Sequence, residues 1–241
     1  ESRSVCPVGV GLTVLFVIAA AAAARARAAG RRAGMLLAIG PGLVFAYFLS
    51  QISLVSGGGS AEETLAWMPS LGVELALRLD GLSLFFALLI TGIGALIVLY
   101  ARSYLGTKDS ETNRFYGYLF LFMASMLGVV LSDHLIAVFV FWELTGISSY
   151  LLIGYFHHSG ESRRNALQAL LVTCLGAGAM LAGFILLADT AGTWLMSEIN
   201  AQGHRFGEDP RYPAILTLLL LGAFSKSAQF PFHFWLPNAM A

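Results

Sequence analysis

From Gly81 to Ala101 the sequence carries no charged side chain, and the same holds from Ser4 to Ala24. As a helix, a run of that length reaches roughly 30 Å at ~1.5 Å per residue, about the thickness of a bilayer's hydrocarbon core. Inside lipid every backbone N–H and C=O must be satisfied within the protein, which leaves helices or closed barrels. Charge-free runs this long, without period-two alternation, select helices. The bulk composition agrees: of 241 residues, 57% are hydrophobic and 12% charged. A net charge of zero offers no basic surface for nucleic acid.

Taken in order, the apolar runs predict about seven transmembrane helices. The first covers residues 4–24 and is followed by Arg25, Arg27, Arg31 and Arg32. A signal peptide carries its basic residues before the apolar region, so this run reads as a span. The second covers 33–54 with Pro41 inside it, and the third 81–101. The fourth runs from 115 to 131, the fifth from 135 to 156, the sixth from 166 to 188, and the seventh starts near Tyr212. In the sixth, Gly176, Gly178, Ala179 and Gly183 suit close helix packing. Residues 189–211 are polar, with a short interfacial helix expected over 193–200.

One segment has a different period. Val73-Glu-Leu75-Ala-Leu77-Arg-Leu79-Asp80 alternates apolar and polar, a strand pattern preceded by a turn candidate at Ser70-Leu-Gly72. A small β-hairpin is therefore expected after the flexible Ser56-Gly-Gly-Gly-Ser60. Nine of the 14 basic residues fall in the loops after the first, third and fifth spans. By the positive-inside rule those loops face the cytoplasm, which puts the N-terminus and the hairpin outside it.

Two charges remain within the apolar runs. Glu143 lies in the body of the fifth span, too short a side chain to reach the interface from there. Lys226 lies well inside the seventh, in Gly222-Ala-Phe-Ser-Lys226-Ser-Ala-Gln-Phe-Pro231-Phe-His233. An ionisable residue at bilayer depth costs about 2.5–3.5 kcal/mol on insertion scales and by default marks a functional site. Pro231 has no N–H for the preceding turn and crowds the carbonyl of Ser227. A helix broken at membrane depth is tolerated where it is buried in protein or lines a wet cavity. Desolvation favours a neutral lysine, whereas a nearby carboxylate favours the ammonium, so the balance between Lys226 and Glu143 suits proton exchange. A static buried ion pair is the alternative. His233, beyond the break, is read either as a relay group titrating near physiological pH or as a helix-end cap.

His134 reads as interfacial packing, and His157 with His158 as a solvated loop without further ligands at metal spacing. Cys6 and Cys174 read as small buried apolar residues. No GxGxxG after a strand, GxxxxGK[ST], HExxH or CxxC is present. No cofactor and no metal site is expected.

Phe141-Trp-Glu143-Leu-Thr-Gly-Ile-Ser-Ser-Tyr-Leu-Leu-Ile-Gly154 resembles the glutamate-bearing fifth helix of antiporter-like membrane proteins, and Lys226-Ser-Ala-Gln-Phe-Pro-Phe-His-Phe-Trp-Leu-Pro237 resembles their broken seventh helix. Asp80-Gly-Leu-Ser-Leu-Phe-Phe86 and Leu127-Gly-Val-Val-Leu-Ser-Asp133 fit as well. The relatives are the A component of the Mrp-type multisubunit Na+/H+ antiporter and the distal proton-pumping subunit of respiratory complex I. Trp-Glu-Leu-Thr and Gln-Phe-Pro-Phe-His are more similar to the Mrp relative; Asn238 stands where the family usually has aspartate.

The resemblance implies a fourteen-helix core of two inverted repeats, each with a broken helix. With the sequence stopping at Ala241, the chain is expected to be a fragment of that core. Residues 1–55 would be two N-terminal helices, 56–80 an extracytoplasmic loop and hairpin, and 81–241 helices three to seven, where the proton-translocating domain starts. The implied function is proton conduction through Glu143, Lys226 and His233 in a monovalent cation/proton antiporter. It implies a multi-pass protein of the bacterial inner membrane with other membrane subunits as partners and Na+ and protons as cargo. Such a chain is part of a transporter rather than an enzyme. The alternatives are the complex I pumping subunit and a non-transporting membrane scaffold.

Overall fold

The computed structural model describes residues 8–25, 33–68, 73–104, 109–203 and 209–240. Among the described residues, seven helices of 15 residues or more follow the apolar runs. These are α1 (Gly9–Arg25), α2 (Ala33–Ser50), α4 (Gly81–Tyr104), α5 (Asp109–Leu131), α6 (Leu135–Ile153), α7 (Gly160–Ala191) and α9 (Tyr212–Lys226). Shorter elements are α3 (Ile52–Ser56), α8 (Met196–Ala201) and α10 (Trp235–Ala239), with a two-stranded antiparallel sheet of β1 (Ala61–Met68) and β2 (Val73–Leu79). Five helices among the described residues are long and apolar enough to cross a membrane, the second counted as Met35–Ser56; Gly9–Ala19 and Tyr212–Lys226 are apolar but shorter. The shortness of α9 has a physical cause. It stops at Lys226, so its 15 residues rise only about 22 Å.

The chain divides into two compact units, Glu1–Ser132 and Asp133–Ala241. In the first, α1 packs mainly on α5, and α2 on α4. Its core includes Leu15, Phe48, Tyr116, Phe120 and Leu127, all fully or nearly fully buried. The hairpin pairs Ala61 with Leu79 and Leu65 with Leu75, with a register irregularity between Ala66 and Met68. Leu77 and Leu79, two residues apart on β2, are both buried as the alternation predicted, but Ala76 on the opposite face is buried too and Leu75 is only half-buried. The turn candidate at Ser70–Gly72 lies outside the described residues, as does Cys6.

Several charges around the hairpin are matched locally. Arg78 meets Glu62 at 3.0 Å across the strands and Asp80 at 4.0 Å. Glu63 accepts from Gly9 N at 2.7 Å, capping α1. Asp80 caps α4: its carboxylate accepts from Leu82 N and Ser83 N, and Ser83 Oγ accepts from Asp80 N, the reciprocal arrangement of a capping box. Burial raises the Asp80 pKa, but these bonds from Ser83, the nearby Arg78 and the Leu82 N–H together hold it below the usual carboxylate range.

In the second unit α7 is the central element, with α6, α9 and α10 all packed against it. Its 32 residues give roughly 48 Å, well beyond a ~30 Å hydrocarbon core. It begins at Gly160, six residues before the expected Ala166, because Ser159 Oγ accepts from Ser162 N and Glu161 sits favourably in the first turn. Ser162 Oγ in turn donates to the Ile153 carbonyl left open where α6 ends, so α6 stops at Ile153 instead of Phe156. At the other end, Asp133 accepts from Ser197 N (2.9 Å) and Ser197 Oγ (2.6 Å), fixing α8 beside the start of α6. His134 is buried and stacked on Trp194, the packing role expected of it. Arg211 bridges Asp189 and Asp209 at 2.7 and 3.4 Å, and these bonds raise its pKa further.

Candidate functional site

The seam between α7 and α9 is tight because two glycines make it so. A Cβ on Gly176 would lie 1.8 Å from Ser225 Oγ, and one on Gly222 would lie 2.5 Å from Met180 Cβ. Gly183 also faces α9, against Leu218 and Leu219, whereas a Cβ on Gly178 would meet nothing within 4 Å. Gly178 is thus a correction to the packing expectation. Close approach brings the end of α9 against α7 at mid-helix, where Lys226 emerges.

The break lies earlier than the proline predicted. The last residue of α9 is Lys226, and Ala228 takes a left-handed conformation at φ 52°. Gln229 N donates to Phe224 O at 2.9 Å, the wide closing bond that follows such a residue at a helix C-terminus. Trp235 Nε1 donates to Ser225 O at 2.9 Å, satisfying another carbonyl of the last turn. Pro231 therefore never meets the Ser227 carbonyl inside a helix; the chain has already turned, and a 3-10 turn over Phe232–Phe234 leads into α10.

Lys226 Nζ donates to the backbone carbonyl of Trp142 on α6 at 3.3 Å and lies 5.5 Å from the centre of the Trp142 ring. The approach crosses Gly146, where a Cβ would come to 3.5 Å from the ammonium. Thr145 Oγ1 donates to the same carbonyl at 2.7 Å. Glu143 is the next residue along α6. Its carboxylate does not meet Lys226: the described ion pairs are those of Arg78 and Arg211, and Glu143 Oε2 instead accepts from Cys174 Sγ on α7 at 3.4 Å. The structure brings Glu143 and Lys226 into one cluster but gives each a neutral partner. Cys174 is the correction here, a hydrogen-bond donor instead of a simple apolar filler.

His233 is not brought into this cluster. It lies exposed in the 3-10 turn, its ring stacked on Phe230 at 5.7 Å. His157 and His158 sit in the α6–α7 loop, where the His157 carbonyl accepts from Arg163. Among the described residues no group of three His, Cys, Asp or Glu is placed to hold a metal ion. An open cleft of about 920 Å³ runs along the first half of α7, lined by residues such as Arg164, Gln168 and Asn238, and includes none of the three candidate residues. Asn238 closes on Gln168 at 2.9 Å there.

Residues the sequence reading missed are Trp142, Cys174 and Trp235. Trp142 acts through its backbone carbonyl and its ring face, and its position beside Glu143 was the available signal. Cys174 is 31 residues from Glu143, and nothing in its neighbourhood in the sequence marks the contact.

Residues 132–241 match the family model described as NADH:quinone oxidoreductase/Mrp antiporter, and residues 67–116 match that for the N-terminus of complex I chain 5. The A component of the Na(+)/H(+) antiporter of Alkalihalophilus pseudofirmus is 48% identical over 207 residues, 86% of this chain and 26% of that protein. The chain belongs to the antiporter-like membrane proteins of the Mrp and complex I family. It superposes on a chain of the Mrp complex from Dietzia sp. DQ12-45-1b with a TM-score of 0.88 at 38% identity, covering 97% of itself and 25% of that chain. Respiratory complex I from Thermus thermophilus shares the fold with a TM-score of 0.76 at 24% identity, over 96% of this chain and 46% of that one. This antiporter-like chain thus spans about a quarter of the length of the curated relative it matches.

Proposed function

We propose that this chain forms part of a proton-conducting subunit of a multisubunit Na+/H+ antiporter, with Lys226 as the proton-carrying group and Glu143 as the charge that tunes it. The observation that carries the reading is the placing of Lys226. Its ammonium ends a broken helix inside an apolar unit and rests on a neutral carbonyl, one residue along α6 from a carboxylate it does not contact. An ammonium locked to a carboxylate gives up its proton reluctantly, whereas one on a carbonyl keeps its charge without that penalty. Movement of Glu143 toward or away from Lys226 then changes how readily the proton leaves. His233, exposed beyond the break, is proposed as the onward link.

In this reading the seven helices span the bacterial inner membrane with the N-terminus and hairpin extracytoplasmic. The division into 1–55, 56–80 and 81–241 follows, and the rest of a fourteen-helix core and other membrane subunits complete the machine. The chain does no covalent chemistry of its own. The family match over 67–116 favours one second reading, a pumping subunit of complex I; there, the same two variants would abolish proton pumping driven by quinone reduction and leave Na+ irrelevant.

The test uses the full-length complex in everted vesicles. Glu143→Ala and Lys226→Ala are each expected to reduce ΔpH-driven Na+/H+ exchange to background while the complex still assembles. Exchange at the wild-type rate in both assembled variants would leave only the scaffold reading.

A further inference from the structure

Among the described residues Glu143 makes no ion pair, and the donor its carboxylate meets is a thiol, Cys174 Sγ at 3.4 Å. Cys174 and Gly176 are two positions apart on α7, about 200° around the helix. The residue that closes the seam on α9 and the one that reaches α6 therefore point to different neighbours. Cys174 lies on a well-packed stretch of α7: beside it Thr173 Oγ1 is tied back to Ala169 O, and Ala177 and Met180 are buried on the following turn. An S–H is a weak donor, but one aimed at a carboxylate gains from the acceptor's charge. On the other side, Lys226 rests on the Trp142 carbonyl.

We propose that Cys174 is a positioning residue for Glu143. It holds one carboxylate oxygen toward α7, so that Glu143 and Lys226 stay out of contact until the carboxylate leaves the thiol. The two arrangements, glutamate on thiol with lysine on carbonyl, and glutamate on lysine, form the two states between which the site switches. A weak donor suits this role because it orients the carboxylate without trapping it. The proposal rests on the proton-carrying reading of Glu143 and Lys226, and it adds a third side chain that nothing in the antiporter resemblance assigned.

The test has a structural arm and a functional arm, both on the full-length chain in its complex. The infrared S–H stretching band of Cys174 is isolated as the wild-type-minus-Cys174→Ala difference. It is expected at a hydrogen-bonded frequency and should move to that of a free thiol in Glu143→Ala. A band that stays in place in Glu143→Ala would overturn the contact. In exchange assays Cys174→Ala is expected to lower the maximal rate several-fold with the KM for Na+ unchanged, because Glu143 then pairs with Lys226. Cys174→Ser, which restores an O–H donor, is expected to recover most of that rate. A wild-type rate in Cys174→Ala, or equal loss in Ala and Ser, would overturn the positioning role. Should Glu143→Ala and Lys226→Ala both exchange normally, the proton-carrying reading fails while the infrared arm still reports on the contact.

Discussion

The charges around the hairpin of the first unit and those inside the apolar helices of the second are treated in opposite ways. In Glu1–Ser132 three carboxylates around the hairpin have fixed partners: Glu62 and Asp80 meet Arg78, Glu63 caps α1, and Asp80 caps α4. Their helices are uncharged through the apolar runs. In Asp133–Ala241 two ionisable groups sit inside apolar helices, and each is given a neutral partner, a thiol for Glu143 and a carbonyl for Lys226. A charge in a good ion pair is costly to move, since removing one member leaves the other uncompensated. A charge on a weak neutral partner leaves it easily. The first arrangement holds charge in place; the second, in the mechanism proposed above, lets it move. Surface pairs like that of Arg78 and Glu62 are worth only up to about 1 kcal/mol, whereas the placing of Lys226 depends on how closely α9 approaches α7.

The sharpest way to break the second arrangement is to force the seam apart. Gly222→Val drives a side chain into Met180 Cβ and the Gly176 carbonyl, so overpacking of about 1–3 kcal/mol is expected. It should show as a lowered melting temperature of the detergent-solubilised complex and weakened exchange. Gly178→Val, two positions from Gly176 but with nothing within 4 Å, should change neither by comparison. Loosening the break itself is a smaller change. Trp235→Phe removes the indole N–H from Ser225 O, a loss of about 1 kcal/mol, and should speed amide hydrogen exchange in the last turn of α9 without affecting assembly.

The smallest effect belongs to the first unit and has a defined sign. The Asp80 pKa is lowered from 3.8 on folding. Its stabilising contribution is therefore full above that value and is lost as pH falls through the folded pKa. Acidification below pH ~4 should fray the start of α4 in hydrogen-exchange measurements, and Asp80→Asn should remove that pH dependence. Because the carboxylate is half exposed (47%), the change is expected to be modest.

Much of this organisation is legible from residue type. Charge-free runs locate the long helices, period-two alternation locates β2, and the insertion cost of isolated charges singles out Glu143 and Lys226. What escapes is set by backbone caps and by contacts between distant helices. β1 has no alternation because neighbouring Glu62 and Glu63 are both used, one by Arg78 and the other by the start of α1. α7 starts early because Ser159 caps it at a point where hydropathy is still low. Pro231 is the visible breaker in the sequence, yet Ala228 makes the turn, and a non-glycine residue in the left-handed region carries no sequence mark. The Cys174–Glu143 contact depends on which face of α7 meets α6, which the apolar middle of that helix does not declare.

The central claim is that Lys226 carries a proton, not merely a charge, and Lys226→Arg tests it most directly. Arginine keeps the positive charge and does not deprotonate in proteins. In everted vesicles containing the assembled full-length complex, the variant is predicted to lose Na+/H+ exchange as completely as Lys226→Ala. Exchange near the wild-type rate in Lys226→Arg would contradict the account, because a fixed charge at the end of α9 would then suffice.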